Sequence, residues 1–272
     1  MYRLLATDLD GTLLRSDKTI SPETVEVLIR LSSKGVYFVP CTGRTHRELP
    51  EVVRNLPFLD YAITTNGGGI YDYHQEKYIC SFTIDNADVL KVLEYADSMP
   101  VYQSMVVEGI RMIQADKKGE IPEFVISHAA KGIVEKAVAC PDLKQYLRDT
   151  GAKAQKILFY PPDGDTGTAI MEQLRIDFPD LAITRSGPLF AEVNAKGIDK
   201  GKTLHILCEH LGLDISETIA FGDAENDIAL LDAAAYAVVT ANGTDETKKH
   251  ADMICDSCDD DGVRKALEVL IK

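Results

Sequence analysis

Thr7-Asp8-Leu9-Asp10-Gly11-Thr12 sets two carboxylates one residue apart, directly behind the apolar run Tyr2 to Ala6. Residues two apart in an extended chain point the same way, so Asp8 and Asp10 share a face at the end of a strand. Gly11 lets the backbone turn at once behind them. Alone, this would be a strand closing in an Asp-Gly turn. Three later segments ask for more: Cys41-Thr42-Gly43-Arg44, Asp199-Lys200-Gly201, and Gly222-Asp223-Ala224-Glu225-Asn226-Asp227, each at an expected strand end or helix start.

Together these residue types suit phosphoryl transfer. Carboxylate oxygens are ligands for a hard cation, and Mg2+ typically takes one or two carboxylates along with water and phosphate oxygens. Acids crowded together raise one another's pKa unless a cation sits among them. With one bound, Asp8 is placed to attack phosphorus and form an aspartyl-phosphate. Asp10, on the same side, is placed to protonate the leaving oxygen and then to take a proton from water. The Thr42 hydroxyl, the Gly43 amide and Lys200 would hold the phosphate oxygens as charge redistributes. Asn66 also follows an expected strand, and Arg44 either reaches substrate or pairs with an acid.

The elements that must position these residues alternate. Ser21-Pro22-Glu23 opens a helix that Gly35 ends, with Ser21 as its cap. Strands are expected over Val36–Pro40, Tyr61–Thr64 and Thr218–Phe221, and a helix over Thr45–Leu56. Tyr71-Asp72 and Tyr78 to Phe82 form an expected hairpin. This order predicts an α/β fold with a doubly wound, parallel-sheet, Rossmann-like core over 1–82 and 187–272. Such sheets bind ligands beyond the carboxyl ends of their strands. Between 83 and 186 the pattern changes to shorter strands and helices, an inserted α/β domain, and the core pattern resumes after Phe190.

At 272 residues the chain is long enough for a core and a second, smaller domain. Its net charge of −14 argues against a nucleic-acid partner, since phosphate backbones demand basic surface. No apolar run approaches a membrane span, so no membrane partner is expected. Six scattered cysteines without a framework rhythm, and no evident signal peptide, point to the cytoplasm. Cys255-Asp256-Ser257-Cys258 lacks the second ligand pair of a zinc site, and the six histidines show no ligand spacing.

With all four segments in view, the chain resembles the haloacid dehalogenase superfamily of phosphohydrolases, in particular its Cof-like branch. Asp8-Leu9-Asp10-Gly11-Thr12 is similar to the first motif, Thr42-Gly43-Arg44 to the second, Lys200-Gly201 to the third, and Gly222-Asp223 with Asn226-Asp227 to the fourth. Asp259-Asp260-Asp261-Gly262-Val263 resembles a tail feature of that branch, whereas Val238 to Gly243 departs from its usual Met-Gly-Asn-Ala-like run. The resemblance implies Asp8 as nucleophile and Asp10 as acid/base. It implies Mg2+ held by the Asp8 side chain, the Asp10 carbonyl and Asp223. It also implies phosphate contacts from the Leu9 amide, Thr42, Gly43, Lys200 and Asn226, with Asp227 behind them, and a substrate-selecting cap over 83–186.

The expected activity is therefore Mg2+-dependent hydrolysis of small phosphorylated metabolites, such as sugar phosphates. A phosphomutase would keep the chemistry and return the phosphoryl group to the sugar. A receiver-like signalling module also clusters aspartates, a threonine and a lysine around Mg2+. The inserted domain and the second acid, Asp10, argue against it, because a built-in base would discharge the signal. The Asp259–Asp261 run by itself reads as a solvated turn.

Overall fold

The computed structural model describes residues 2–128, 133–185 and 190–271. Along the chain its strands are β1 (Leu4–Thr7), β2 (Tyr37–Pro40), β3 (Tyr61–Thr64), β4 (Gly69–Asp72), β5 (Lys77–Ser81), β6 (Tyr102–Val107) and β7 (Ile110–Gln114). They continue with β8 (Val138–Cys140), β9 (Ala154–Tyr160), β10 (Leu181–Thr184), β11 (Ala191–Ala195), β12 (Thr218–Gly222), β13 (Tyr236–Thr240) and β14 (Met253–Cys255). The chain divides into two compact units: Met1–Gly43 with Leu49–Cys80 and Asp199–Lys272, and Arg44–Glu48 with Ser81–Ile198.

The first unit is built on a five-stranded parallel sheet in the order β14-β13-β12-β1-β2. Every residue of β1 is buried, because a parallel strand with both faces covered can be apolar throughout. Its side chains still alternate. Leu5 joins Phe221 and Val238 in the core under the helices Pro22–Ser33 and Gly262–Leu270. Leu4 and Ala6 join Leu204, Leu207 and Leu230 in the core under Lys200–Leu211 and Ile228–Ala233. The first helix starts where its residues predict: Pro22 occupies its first turn, and Ser21 Oγ accepts the Thr24 amide at 3.1 Å. Beyond β2, Cys41 bridges Ile63 of β3 in parallel, and β3-β4-β5 form a three-stranded sheet of their own.

The second unit is α/β as well, a six-stranded sheet ordered β10-β11-β9-β6-β7-β8. Its pairs are antiparallel except β7 with β8. On one face Met105, Ile157, Phe159 and Val193 pack with the helices Asn86–Ala96, Leu143–Thr150 and Gly164–Asp177. Alternate residues give the other face buried charge: Arg111 donates to both carboxylate oxygens of Glu48 at 2.6 and 3.1 Å, and Lys156 pairs with Glu192 at 2.5 Å.

Three expectations need correction or lie elsewhere. Thr45–Leu56 is not one helix, and only Glu51–Arg54 is helical. Pro50 disfavours helix in the residue before it, and the Glu48 carboxylate folds back to accept the Thr45 amide at 2.9 Å. Ala191–Ala195, expected with the core, pairs instead with β9 and β10 in the second unit's sheet. The expected junction at Ser186 falls outside the described residues. Among the described residues no helix is long and apolar enough to cross a membrane.

Gly201 sits where two helices of the first unit meet, and a Cβ there would lie 2.0 Å from the backbone oxygen of Ala229. A backbone atom cannot swing aside. Gly201→Ala is expected to cost about 1–3 kcal/mol, as overpacked cores do, and a circular-dichroism melt should show a lower midpoint. A wild-type midpoint would remove this account of the packing.

Candidate active site

The carboxyl ends of three neighbouring parallel strands bring the distant segments together. Thr7 of β1 is level with Pro40 of β2 and Phe221 of β12. The Asp8 amide donates to Phe221 O at 2.9 Å, and the Cys41 amide to Thr7 O at 2.7 Å. Asp8, Thr42 and Asp223 therefore leave the sheet at one edge, as the sheet rule requires.

Lys200 comes from the helix start, where Asp199 caps the backbone by accepting the Lys202 amide at 2.7 Å. Its side chain is completely buried, and Nζ donates to Asp8 Oδ1 at 2.7 Å and to Asp227 Oδ1 at 2.6 Å. The second oxygen of Asp227 accepts the amides of Asp223 (3.0 Å) and Ala224 (3.1 Å), so Asp227 fastens the loop behind Asp223. Thr12 Oγ1 donates to Asp223 Oδ1 at 2.8 Å. Gly11 has φ +92, a backbone shape that favours glycine, and a Cβ on it would lie 2.5 Å from Asp223 Oδ2 and displace that carboxylate.

Ligand atoms of Asp8, Asp223 and Asp227 all lie within 4.8 Å of one another. Three carboxylates against one ammonium leave an excess of two negative charges in a buried place. Burial raises the Asp8 carboxyl well above the usual range; Lys200 opposes this, while Asp227 and Asp223 add to it. Burial, then the charge of Asp227, pushes Asp223 up to about 6. Burial would pull the Lys200 ammonium down, but Asp227 and then Asp8 raise it, so it stays charged. Acids that repel this strongly with oxygen donors turned together fit a hard divalent cation.

The other expected residues are placed as follows. Thr42 is buried; its amide donates to Ile63 O at 2.9 Å, and its carbonyl accepts the Asn66 amide at 3.0 Å. Asn66 has φ +58, and its Oδ1 accepts from Asn226 Nδ2 at 3.2 Å, which ties the second and fourth motifs together. Gly43 ends its stretch of the first unit, and the Leu9 side chain is wholly buried. Asp10 pairs with Lys18 at 2.9 Å. Arg44 belongs to the second unit, where its Nη1 donates to Glu48 O at 3.1 Å.

Sequence reasoning missed Thr12 as a brace for Asp223, Lys18 as a partner for Asp10, and Asn242, whose Nδ2 donates to Gly11 O at 2.7 Å. Thr12 was within reach of such reasoning, two residues past Asp10, as was Asn242 in the loop after β13. Lys18 carried no signal. Asp259 and Asp260 lie in an exposed turn, as expected, and Asp259 and Asp261 also accept hydrogen bonds from Ser16 and Arg15. Cys255 and Cys258 are free thiols, and burial raises both, Cys255 to about 12.

A parallel α/β sheet with a buried lysine and an acid cluster beyond its strand ends is an arrangement suited to phosphoryl transfer. The chain belongs to the haloacid dehalogenase-like hydrolase family, whose model matches residues 5–267. Its enzyme class is phosphoric monoester hydrolase. It is 31% identical to the 5-amino-6-(5-phospho-D-ribitylamino)uracil phosphatase YcsE of Bacillus subtilis, over 97% of this chain and 94% of that one. The HMP-PP phosphatase of Serratia proteamaculans is 30% identical, over 91% and 87%. Among solved structures, a haloacid dehalogenase-like hydrolase from Bacteroides thetaiotaomicron superposes with a TM-score of 0.84 at 27% identity, covering 100% of both chains.

Lys200→Met would leave Asp8 and Asp227 buried without their shared cation. Breaking a buried pair in this way costs about 3–5 kcal/mol, to be read as a lower urea midpoint at neutral pH. A midpoint within error of wild type would show that the ammonium does not stabilise the site.

Proposed function

We propose that the chain is a Mg2+-dependent phosphatase of small phosphorylated metabolites, working through an aspartyl-phosphate on Asp8. The observation that carries this is the Lys200 ammonium fixed between Asp8 and Asp227, with Asp223 beside them. Lys200 holds one Asp8 oxygen, which leaves the other to attack phosphorus. In the first half-reaction the Asp8–phosphorus bond forms and the ester oxygen leaves, taking a proton from Asp10. In the second, Asp10 removes a proton from water, the water oxygen bonds to phosphorus, and the Asp8 carboxylate is released. The Leu9 and Gly43 amides, the Thr42 hydroxyl, Lys200 and Asn226 would hold the phosphoryl oxygens.

Asp8, Asp223 and the Asp10 carbonyl would hold the cation. When bound, it neutralises charge between the carboxylates and the phosphate dianion. Asp227, with both oxygens already engaged, would support the others. The second unit is proposed as the substrate-selecting cap, on the strength of the buried polar groups Arg111, Lys156 and Glu192 on its sheet. Sugar or polyol phosphates fit this reading, as does the phosphoribityl compound named for the Bacillus subtilis relative. All six cysteines are thiols, which supports placing the protein in the cytoplasm.

With p-nitrophenyl phosphate and Mg2+, steady phosphate release is expected. Chelation should abolish it, and Asp8→Asn should lower it by at least about 10^3-fold. Undiminished turnover in that variant would rule out the covalent route. Mg2+ at 100 times its Kd should stabilise the wild type by about 2.7 kcal/mol, and Asp223→Ala should lose most of that gain in a thermal melt. An equal gain in both proteins would move the cation elsewhere.

A further inference from the structure

Past Asp10 the chain makes a closed loop. The Leu14 amide returns to Leu9 O at 2.8 Å, the Arg15 amide donates to Thr19 O at 3.0 Å, and the Lys18 amide to Arg15 O at 2.8 Å. Asp17 Oδ1 stiffens the turn by accepting both the amide and the hydroxyl of Thr19, at 2.9 and 2.6 Å. Lys18 itself has φ +68, a left-handed conformation that side-chain-bearing residues rarely adopt. From there its ammonium reaches Asp10 Oδ1 at 2.9 Å.

The tail of the chain fastens this turn. Ser16 donates to Asp259 through its amide and its hydroxyl, each at 2.7 Å. Arg15 donates to Asp261 Oδ1 through Nε at 3.2 Å and Nη2 at 2.9 Å. The loop's other end is braced from the same region: Asn242 donates to Gly11 O, and its Oδ1 accepts the Cys258 amide at 2.9 Å. The Lys18–Asp10 pair is about a third exposed on each side. An ion pair that open returns little stability, whereas a left-handed lysine costs some. Stability alone does not account for the arrangement.

We propose that Lys18 is a positioning residue for Asp10: carried on a left-handed turn that Asp259 and Asp261 clamp, its ammonium fixes one oxygen of the Asp10 carboxylate and so sets the direction of the other. The proposal rests on the reading of Asp10 as general acid and base, and adds to it a residue and a tail segment outside the four motifs. Lys18 touches neither the nucleophile nor the phosphoryl group; it acts through Asp10.

Rapid-quench kinetics of the full chain with p-nitrophenyl phosphate and Mg2+ test this. The p-nitrophenolate group leaves without being protonated, so the first half-reaction asks little of Asp10 and the second needs it as base. Lys18→Met should lower kcat about tenfold, part of the roughly 10^2–10^4-fold that a general base contributes. A burst of about one equivalent of p-nitrophenol should precede the slow phase, with KM unchanged or lower. Lys18→Arg should restore most of kcat. Asp259→Asn should lower kcat less, and add nothing further in the Lys18→Met background. An unchanged kcat in Lys18→Met, a loss without a burst and with a raised KM, or additive losses in the double variant would each overturn the proposal. Asp8→Asn in the same experiment separates the two readings. Turnover surviving there removes the phosphatase mechanism itself, whereas an inactive Asp8→Asn beside an unaffected Lys18→Met removes only the role of Lys18.

Discussion

The buried ammonium of Lys200, shared between Asp8 and Asp227, is the interaction on which the rest of the first unit depends. Taking an ammonium and two carboxylates out of water is unfavourable unless each is paired and its remaining hydrogen-bonding capacity is used. Asp227 meets that condition by accepting two backbone amides with the oxygen that Lys200 does not take. Meeting it also shapes the chain around it: the loop after β12 folds over the Asp227 carboxylate, and the Lys200 helix lies close enough to its neighbour that Gly201 has no room for a side chain. Packing and electrostatics are one constraint here.

That constraint leaves Asp223 and the second oxygen of Asp8 in an excess of negative charge. Thr12 and Lys200 lower the Asp223 carboxyl, but burial and Asp227 outweigh them. A cation answers this excess more fully than hydrogen bonds can, because it opposes several carboxylates at once. The protein as a whole carries −14, so the positive charge that an anionic substrate needs must be local. Lys200 and a bound divalent ion would supply it.

The second unit divides its sheet between two roles. One face is apolar and covered by three helices, while alternate residues of the same strands carry Arg111, Lys156 and Glu192. Replacing buried ion pairs by apolar side chains is often neutral or stabilising. Their presence on that face is therefore not explained by stability alone.

Local chemistry made much of this protein legible. Asp8, Asp10, Thr42, Lys200 and the Asp223 loop were found because each follows a strand or opens a helix, and short continuous apolar runs marked those strands. The first helix was found through Ser21 and Pro22, whose preferences act within four residues. Where an element answered to distant partners, the sequence was silent or misleading. Thr45–Leu56 has helical composition, but Glu48 is taken up by Thr45 and by Arg111, 63 residues away. Ala191–Ala195 is a strand of the second unit only because β9 and β10 flank it. The exposed turn at Asp259–Asp261 was legible, but not its partners Arg15 and Ser16, which come from the other end of the chain. The sequence by itself determined which groups could do chemistry and on which elements they ride, since those follow from residue type and near neighbours. Only the tertiary structure decided which oxygen faces which cation, because pairings such as Lys200 with Asp8, 192 positions apart, and Arg15 with Asp261, 246 apart, are encoded by no local preference.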